Sequence, residues 1–147
     1  MACISIETAP GLRPDLQHVD ETPRHVLCVD DDPYVGAALN RTLRLYDIEV
    51  ATAYSGIQGY WSIVTRRPDV VVADLGMPNG GGVEMIEWMM NNRQTRDIPV
   101  LVLTGCRSKR IRHRVESFGI AAYLTKPFSA QQIAAEISRI CENLSHA

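Results

Sequence analysis

Val70-Val71-Val72-Ala73-Asp74, residues 70–74, is apolar at four consecutive positions and then ends on a carboxylate. A strand with one wet face alternates apolar and polar residues. An unbroken apolar run of this length reads instead as a strand buried on both faces, as at the centre of a parallel sheet. Val100-Leu101-Val102-Leu103 repeats the pattern and leads into Thr104. Val26-Leu27-Cys28-Val29 repeats it again and leads into Asp30-Asp31-Asp32.

Between and around these runs the apolar period changes from strand-like to helical. The reading gives a strand at 25–30 and a helix at 33–46 with Val35, Leu39 and Tyr46 on one side. A more alternating strand at 48–53 suits a sheet edge, and a helix at 56–66 places Ile57, Tyr60, Trp61 and Val64 at core spacing. After the central strand, a helix at 82–92 turns Val83, Ile86, Met89 and Met90 inward. A helix at 108–118 follows the 100–103 strand and carries Ile111, Val115 and Phe118. A fifth strand at 121–125 precedes a helix from 129 with Ile133, Ile137, Ile140, Cys141 and Leu144 inward. Five β-α units in succession predict an α/β fold, a parallel sheet with helices on both faces. Right-handed crossovers place every strand's C-terminal end on one edge, and ligands bind outside that edge.

The chain has 147 residues and is 46% hydrophobic, one domain's worth with enough apolar mass for a core. A net charge of −2 gives no reason to expect direct binding to nucleic acid or an anionic membrane. No apolar run approaches bilayer length, and residues 1–10 lack the pattern of a secretory signal. Cys3, Cys28, Cys106 and Cys141 are scattered without paired spacing, which favours reduced thiols and a cytoplasmic location. Residues 1–24 are polar, hold Pro10, Pro14 and Pro23, and are expected to form a flexible arm before a domain at 25–147.

Strand ends on one edge then collect complementary chemistry: Asp30-Asp31-Asp32, Asp74, Thr104 and Lys126. Close carboxylates cannot all stay ionised without a cation. Hard oxygens with no His or Cys point to Mg²⁺. A carboxylate beside Mg²⁺ can attack phosphorus to give an acyl phosphate, with an ammonium and a hydroxyl neutralising the transferred oxygens. Asp32 precedes Pro33 and fits a helix N-cap with proline at the first helical position.

Together H-V-L-C-V-D-D-D-P, V-V-V-A-D-L-G-M-P-N-G-G-G, V-L-V-L-T-G and A-A-Y-L-T-K-P-F resemble the receiver domain of two-component response regulators, in order and spacing, over residues 25–144. The resemblance implies a flavodoxin-like sheet of order 2-1-3-4-5 and a phosphorelay function. It implies that Asp74 is the phosphoacceptor, with Thr104 and Lys126 assisting. Asp31, Asp74 and the Gly76 carbonyl would hold Mg²⁺, and Asp30 would act through a metal-bound water. Thr104 and Tyr123 would be the switch residues, and Lys126-Pro127 a cis peptide. The donor would be a histidine kinase or histidine phosphotransfer protein. The output partner would dock through the fourth helix, fifth strand and fifth helix, and a homodimer is open. The chain would be a signalling phosphoacceptor that catalyses only its own phosphorylation and dephosphorylation.

Several positions depart from the family. The loop Gly80-Gly81-Gly82 is expected to be mobile, and Gly105 to leave Asp74 open to small phosphodonors. Gly76 and Cys106 offer no strong acid, base or amide to guide water, so slow loss of the phosphoryl group is expected. Arg107, Lys109, Arg110, Arg112 and Arg114 make the fourth helix basic, either a solvated face or a dock for an acidic partner. Two other functions compete. A haloacid-dehalogenase-type phosphatase would use Asp30 as nucleophile and Asp32 two residues on, but leaves Asp74 idle. A degenerate receiver would bind partners without phosphorylation, which the full set of acidic, hydroxyl and lysine residues argues against.

Overall fold

A computed structural model of the chain describes residues 25–77 and 81–145. The 1–24 arm, Gly80 and the side chain of Leu144 lie outside the described residues. The strands are β1 (His25–Val29), β2 (Glu49–Ala53), β3 (Val70–Ala73), β4 (Val100–Thr104) and β5 (Ala122–Thr125). The helices are α1 (Pro33–Leu43), α2 (Gly56–Thr65), α3 (Gly82–Met90), α4 (Lys109–Glu116) and α5 (Ala130–Ser145). All strand pairs are parallel, and the order is β2-β1-β3-β4-β5, as the resemblance implied.

The apolar runs bury both faces as expected. Leu27, Val29, Val71, Ala73, Val100 and Val102 meet α2, α3 and α4 through Ile63, Met85, Met89 and Val115. Val26, Cys28, Val72, Leu101 and Leu103 meet α1 and α5 through Leu39, Leu43, Ile133, Ile137 and Ile140. Cys28 is therefore a core thiol. β2 keeps an exposed, edge-like pattern.

Two helix readings need correction. The first helix ends at Leu43, and a 3-10 turn, Arg44–Tyr46, carries the chain out to Asp47, whose φ is 61°. Tyr46 is consequently 61% exposed rather than inward. α3 turns Val83, Ile86, Met89 and Met90 inward as expected, with Val83 and Met90 half-buried against the core, and it buries Met85 as well. α2 is turned round: Gly56, Gly59 and Ile63 face the core, and Ile57, Trp61 and Val64 face out. The cause is close approach. A Cβ on Gly56 would lie 2.1 Å from the Gly81 carbonyl oxygen, and one on Gly59 would lie 2.7 Å from Met85 Sδ. Only a face without side chains lets α2 come this near to α3.

Candidate phosphoacceptor site

Register brings the strand ends together. Val29 pairs with Ala73, so Asp30 and Asp74 leave neighbouring strands side by side. The Asp74 N–H donates to the Val29 carbonyl at 2.9 Å, extending that ladder. Thr104 pairs with Thr125, and the Lys126 N–H donates to the Thr104 carbonyl at 2.9 Å. Asp30 and Asp74 are each 4% exposed and Thr104 is fully buried. One carboxylate oxygen from each of Asp30, Asp31 and Asp74 lies within 4.8 Å of the others. Lys126 Nζ stands 3.9 Å from Asp30 Oδ2 and 3.8 Å from Asp74 Oδ2.

Each buried carboxylate has one oxygen held and one left for chemistry. Asp30 Oδ1 accepts from the Asp32 N–H at 2.8 Å, and Asp74 Oδ1 accepts from the Gly76 N–H at 2.9 Å. Asp30 Oδ2 is buried with no hydrogen-bond partner among the described residues. Burial first, then the charges of Asp74 and Asp31, push the Asp30 carboxyl up to about 6, against the pull of the Asp32 N–H and Lys126. Burial first, then the charges of Asp30 and Asp74, push the Cys28 thiol up to about 12, so it stays a neutral core group beneath the site. An orphaned carboxylate oxygen amid three hard-oxygen donors, without His or Cys, fits a small divalent cation such as Mg²⁺.

Thr104 Oγ accepts from the Cys106 N–H at 3.0 Å. Tyr123 is half-buried, its ring under the Arg112 guanidinium at 4.5 Å, and burial raises its phenol pKa. The Lys126-Pro127 peptide is cis. Asp32 does not join the cluster. Its carboxylate accepts from the Tyr34 N–H at 3.0 Å and caps α1, with Pro33 at the first helical position.

The model of the response regulator receiver domain matches residues 26–138. The chain belongs to this family. The transcriptional regulatory protein PrrA of Mycobacterium tuberculosis is 37% identical over 119 residues, 81% of this chain and 50% of that protein. Hybrid signal transduction histidine kinase D of Dictyostelium discoideum is 32% identical over 112 residues, 76% of this chain and 7% of that protein. The chain thus spans about half or less of the length of these curated relatives. Among solved structures, chemotaxis response regulator CheY4 of Vibrio cholerae superposes with a TM-score of 0.73 at 28% identity, covering 81% of this chain and 99% of that one. The function is that of a response-regulator receiver domain, a signalling module whose family binds Mg²⁺ at an acidic pocket. The phosphatase alternative also loses its second aspartate, because Asp32 is occupied as a helix cap.

Sequence reasoning missed how the glycines shape this edge. Gly81, with φ 96°, caps α3, and its N–H donates to Glu84 Oε1 at 2.8 Å. A Cβ on Gly82 would fall 2.4 Å from the Asp74 carbonyl oxygen. Those two glycines are places of close contact, and the Gly-Gly-Gly run was the available signal. At Gly76 a Cβ would have ordinary contacts, 3.5 Å from Asp74 Oδ1 and 3.7 Å from Thr104 Oγ. The position therefore overlooks the acceptor without covering it.

Proposed function

We propose that Asp74 accepts a phosphoryl group from a histidine kinase or histidine phosphotransfer protein and that the phosphorylated chain switches partner binding. The observation that carries this reading is that Lys126 Nζ stands within 4 Å of both Asp30 and Asp74 at one sheet edge. Asp74 attacks phosphorus with a carboxylate oxygen as the bond to the donor imidazole nitrogen breaks, and that nitrogen keeps the electron pair. The product is an acyl phosphate on Asp74. Asp31, Asp74 and the Gly76 carbonyl would hold Mg²⁺, with Asp30 acting through a bound water; the cation supplies charge neutralisation on the transferred oxygens. Lys126 stabilises another of those oxygens. The Thr104 hydroxyl stabilises a third; a Cβ on Gly76 would lie 3.7 Å from it and 3.5 Å from Asp74 Oδ1.

In this reading Thr104 turns toward the phosphoryl group and Tyr123 follows. The surface of α4, β5 and α5 then changes its affinity for an output partner. Gly76 and Cys106 leave the attack of water unguided, so the phosphoryl group persists. We read residues 25–147 as the receiver unit and 1–24 as a separate arm. The cytoplasm is the natural compartment; no helix of the described residues is long and apolar enough to cross a membrane. Borohydride trapping after treatment with a phosphorylated phosphotransfer protein or acetyl phosphate in Mg²⁺ tests the proposal. Peptide mapping is expected to place the reduced side chain at Asp74. A label found elsewhere, or no label after hours, would refute it.

A further inference from the structure

α2 carries an apolar set that the core does not use. Ile57, Trp61 and Val64 are 63%, 67% and 44% exposed, and Trp88 of α3 is 39% exposed. This face cannot roll inward, because Gly56 and Gly59 on the other side of α2 sit closer to Gly81 and Met85 than a Cβ would allow. The patch is also held in shape. The Tyr60 and Trp88 rings meet edge-on with centroids 5.7 Å apart, and the Tyr60 hydroxyl accepts from Asn92 Nδ2 at 2.9 Å. A cleft of about 490 Å³ opens between Ile57, Tyr60, Trp61 and Trp88. A surface already in its binding shape loses little conformational freedom when it is covered. None of these residues belongs to the phosphoacceptor site.

Charge, shape and size together indicate what covers it. α2 has no charged side chain from Gly56 to Thr65. Two charges at its margins are matched within the chain, Arg66 by Glu49 at 2.8 Å and Glu87 by Arg114 at 3.3 Å. A strongly acidic or basic partner finds little to match on such a face. Near a twofold axis each group meets its own kind, which repels like charges and suits a neutral apolar surface. Trp61 stands out beside a cleft walled by Ile57, Tyr60 and Trp88, so one face offers both a knob and a hollow. A twofold contact requires that self-complementarity. At about 250 Å² per indole side chain, Trp61 and Trp88 expose roughly 260 Å². At about 100 Å² each, Ile57 and Val64 add roughly 110 Å². Two copies would then remove roughly 750 Å² of apolar surface. Interfaces are about 57% apolar, so the whole contact comes to roughly 1,300 Å². Stable specific complexes bury about 1,200–2,000 Å².

We propose that the α2–α3 face is a homodimer interface, in which Trp61 of each copy enters the cleft beside Tyr60 and Trp88 of the other. α2 packs on β1 and β2, away from β4 and β5 in the sheet order, so this pairing leaves α4, β5 and α5 uncovered. Nothing in it depends on the chemistry at Asp74. Sedimentation velocity of the full chain from about 1 μM to about 500 μM, in EDTA and without phosphodonor, tests the interface. The wild type is expected to approach twice its monomer mass as concentration rises. Trp61 and Trp88 are the chain's two tryptophans, so their emission should move to the blue over the same range. Trp61→Glu and Ile57→Glu, both at exposed positions, are expected to weaken association at least tenfold with unchanged far-ultraviolet circular dichroism. Arg110→Glu on α4 is expected to leave association intact. A wild type that stays monomeric up to the highest concentration would overturn the proposal. So would dimers that ignore both glutamate variants or that Arg110→Glu dissociates, because another face would then hold them. So would tryptophans equally shielded from acrylamide in the dilute monomer, because the same chain would then be the cover.

Discussion

Asp30→Asn is expected to stabilise the metal-free protein at neutral pH while weakening its response to Mg²⁺. The Asp30 carboxyl is pushed up to about 6 from 3.8, chiefly by burial and by the neighbouring carboxylates. Between those two values the folded chain holds a proton that the unfolded chain has released. Stability is therefore greatest below the unfolded pKa and falls as pH rises through the folded one. A shift of about 2 units at about 1.4 kcal/mol each puts the loss at roughly 2–3 kcal/mol above pH 6. Asparagine keeps an oxygen for the Asp32 N–H and removes the charge that causes the loss. In EDTA near pH 8 the variant should gain roughly 2 kcal/mol, about 4–8 °C in Tm for a domain of this size. Near pH 4 the gap between the two proteins should close. Added Mg²⁺ should raise the wild-type Tm more than the variant's, which keeps Asp31 and Asp74. Urea and thermal unfolding across that pH range, with EDTA and with Mg²⁺, measure all three effects. A variant less stable than wild type near pH 8 in EDTA, or a difference constant from pH 4 to 8, would refute the electrostatic argument.

Other substitutions test neighbouring parts of the account. Asp32→Ala should cost about 1 kcal/mol in urea unfolding, by removing the α1 cap, and leave labelling by acetyl phosphate intact. Gly59→Ala should cost roughly 1–3 kcal/mol, because its Cβ would lie 2.7 Å from Met85 Sδ and 2.9 Å from Val29 Cγ2. Gly105→Ala, whose Cβ would meet only Lys126, at 3.7 Å and beyond, should stay within about 0.5 kcal/mol in the same thermal melts. Gly76→Asn should change stability by less than about 0.5 kcal/mol, yet alter the lifetime of the phosphoryl group several-fold, followed as decay of label.

The sheet was legible because burial on both faces leaves an unmistakable trace. Val70 to Ala73 and Val100 to Leu103 have no polar residue to place anywhere else. The acidic pair, Asp74, Thr104 and Lys126 were legible too, since topology alone sends strand ends to one edge. α2 was misread because apolar spacing says which residues share a face, not which face is packed. Its core side holds two glycines, which carry no hydrophobic signal, beside Ile63, and the choice was made by Met85 of α3 and by Gly81, which caps it. Tyr46 was misread for a local reason: the helix tightens into a 3-10 turn and swings that residue outward. The orphaned oxygen of Asp30 is a fact of three-dimensional packing, and no pattern of residues announces it.

In the proposed function Asp74, rather than Asp30, takes the phosphoryl group. Intact-protein mass spectrometry after acetyl phosphate and Mg²⁺ tests it on the wild type, Asp74→Ala and Asp30→Ala. One added phosphoryl group is expected in the wild type, none in Asp74→Ala, and reduced labelling at Asp74 in Asp30→Ala. Full labelling of Asp74→Ala with none in Asp30→Ala would contradict it and make Asp30 the nucleophile.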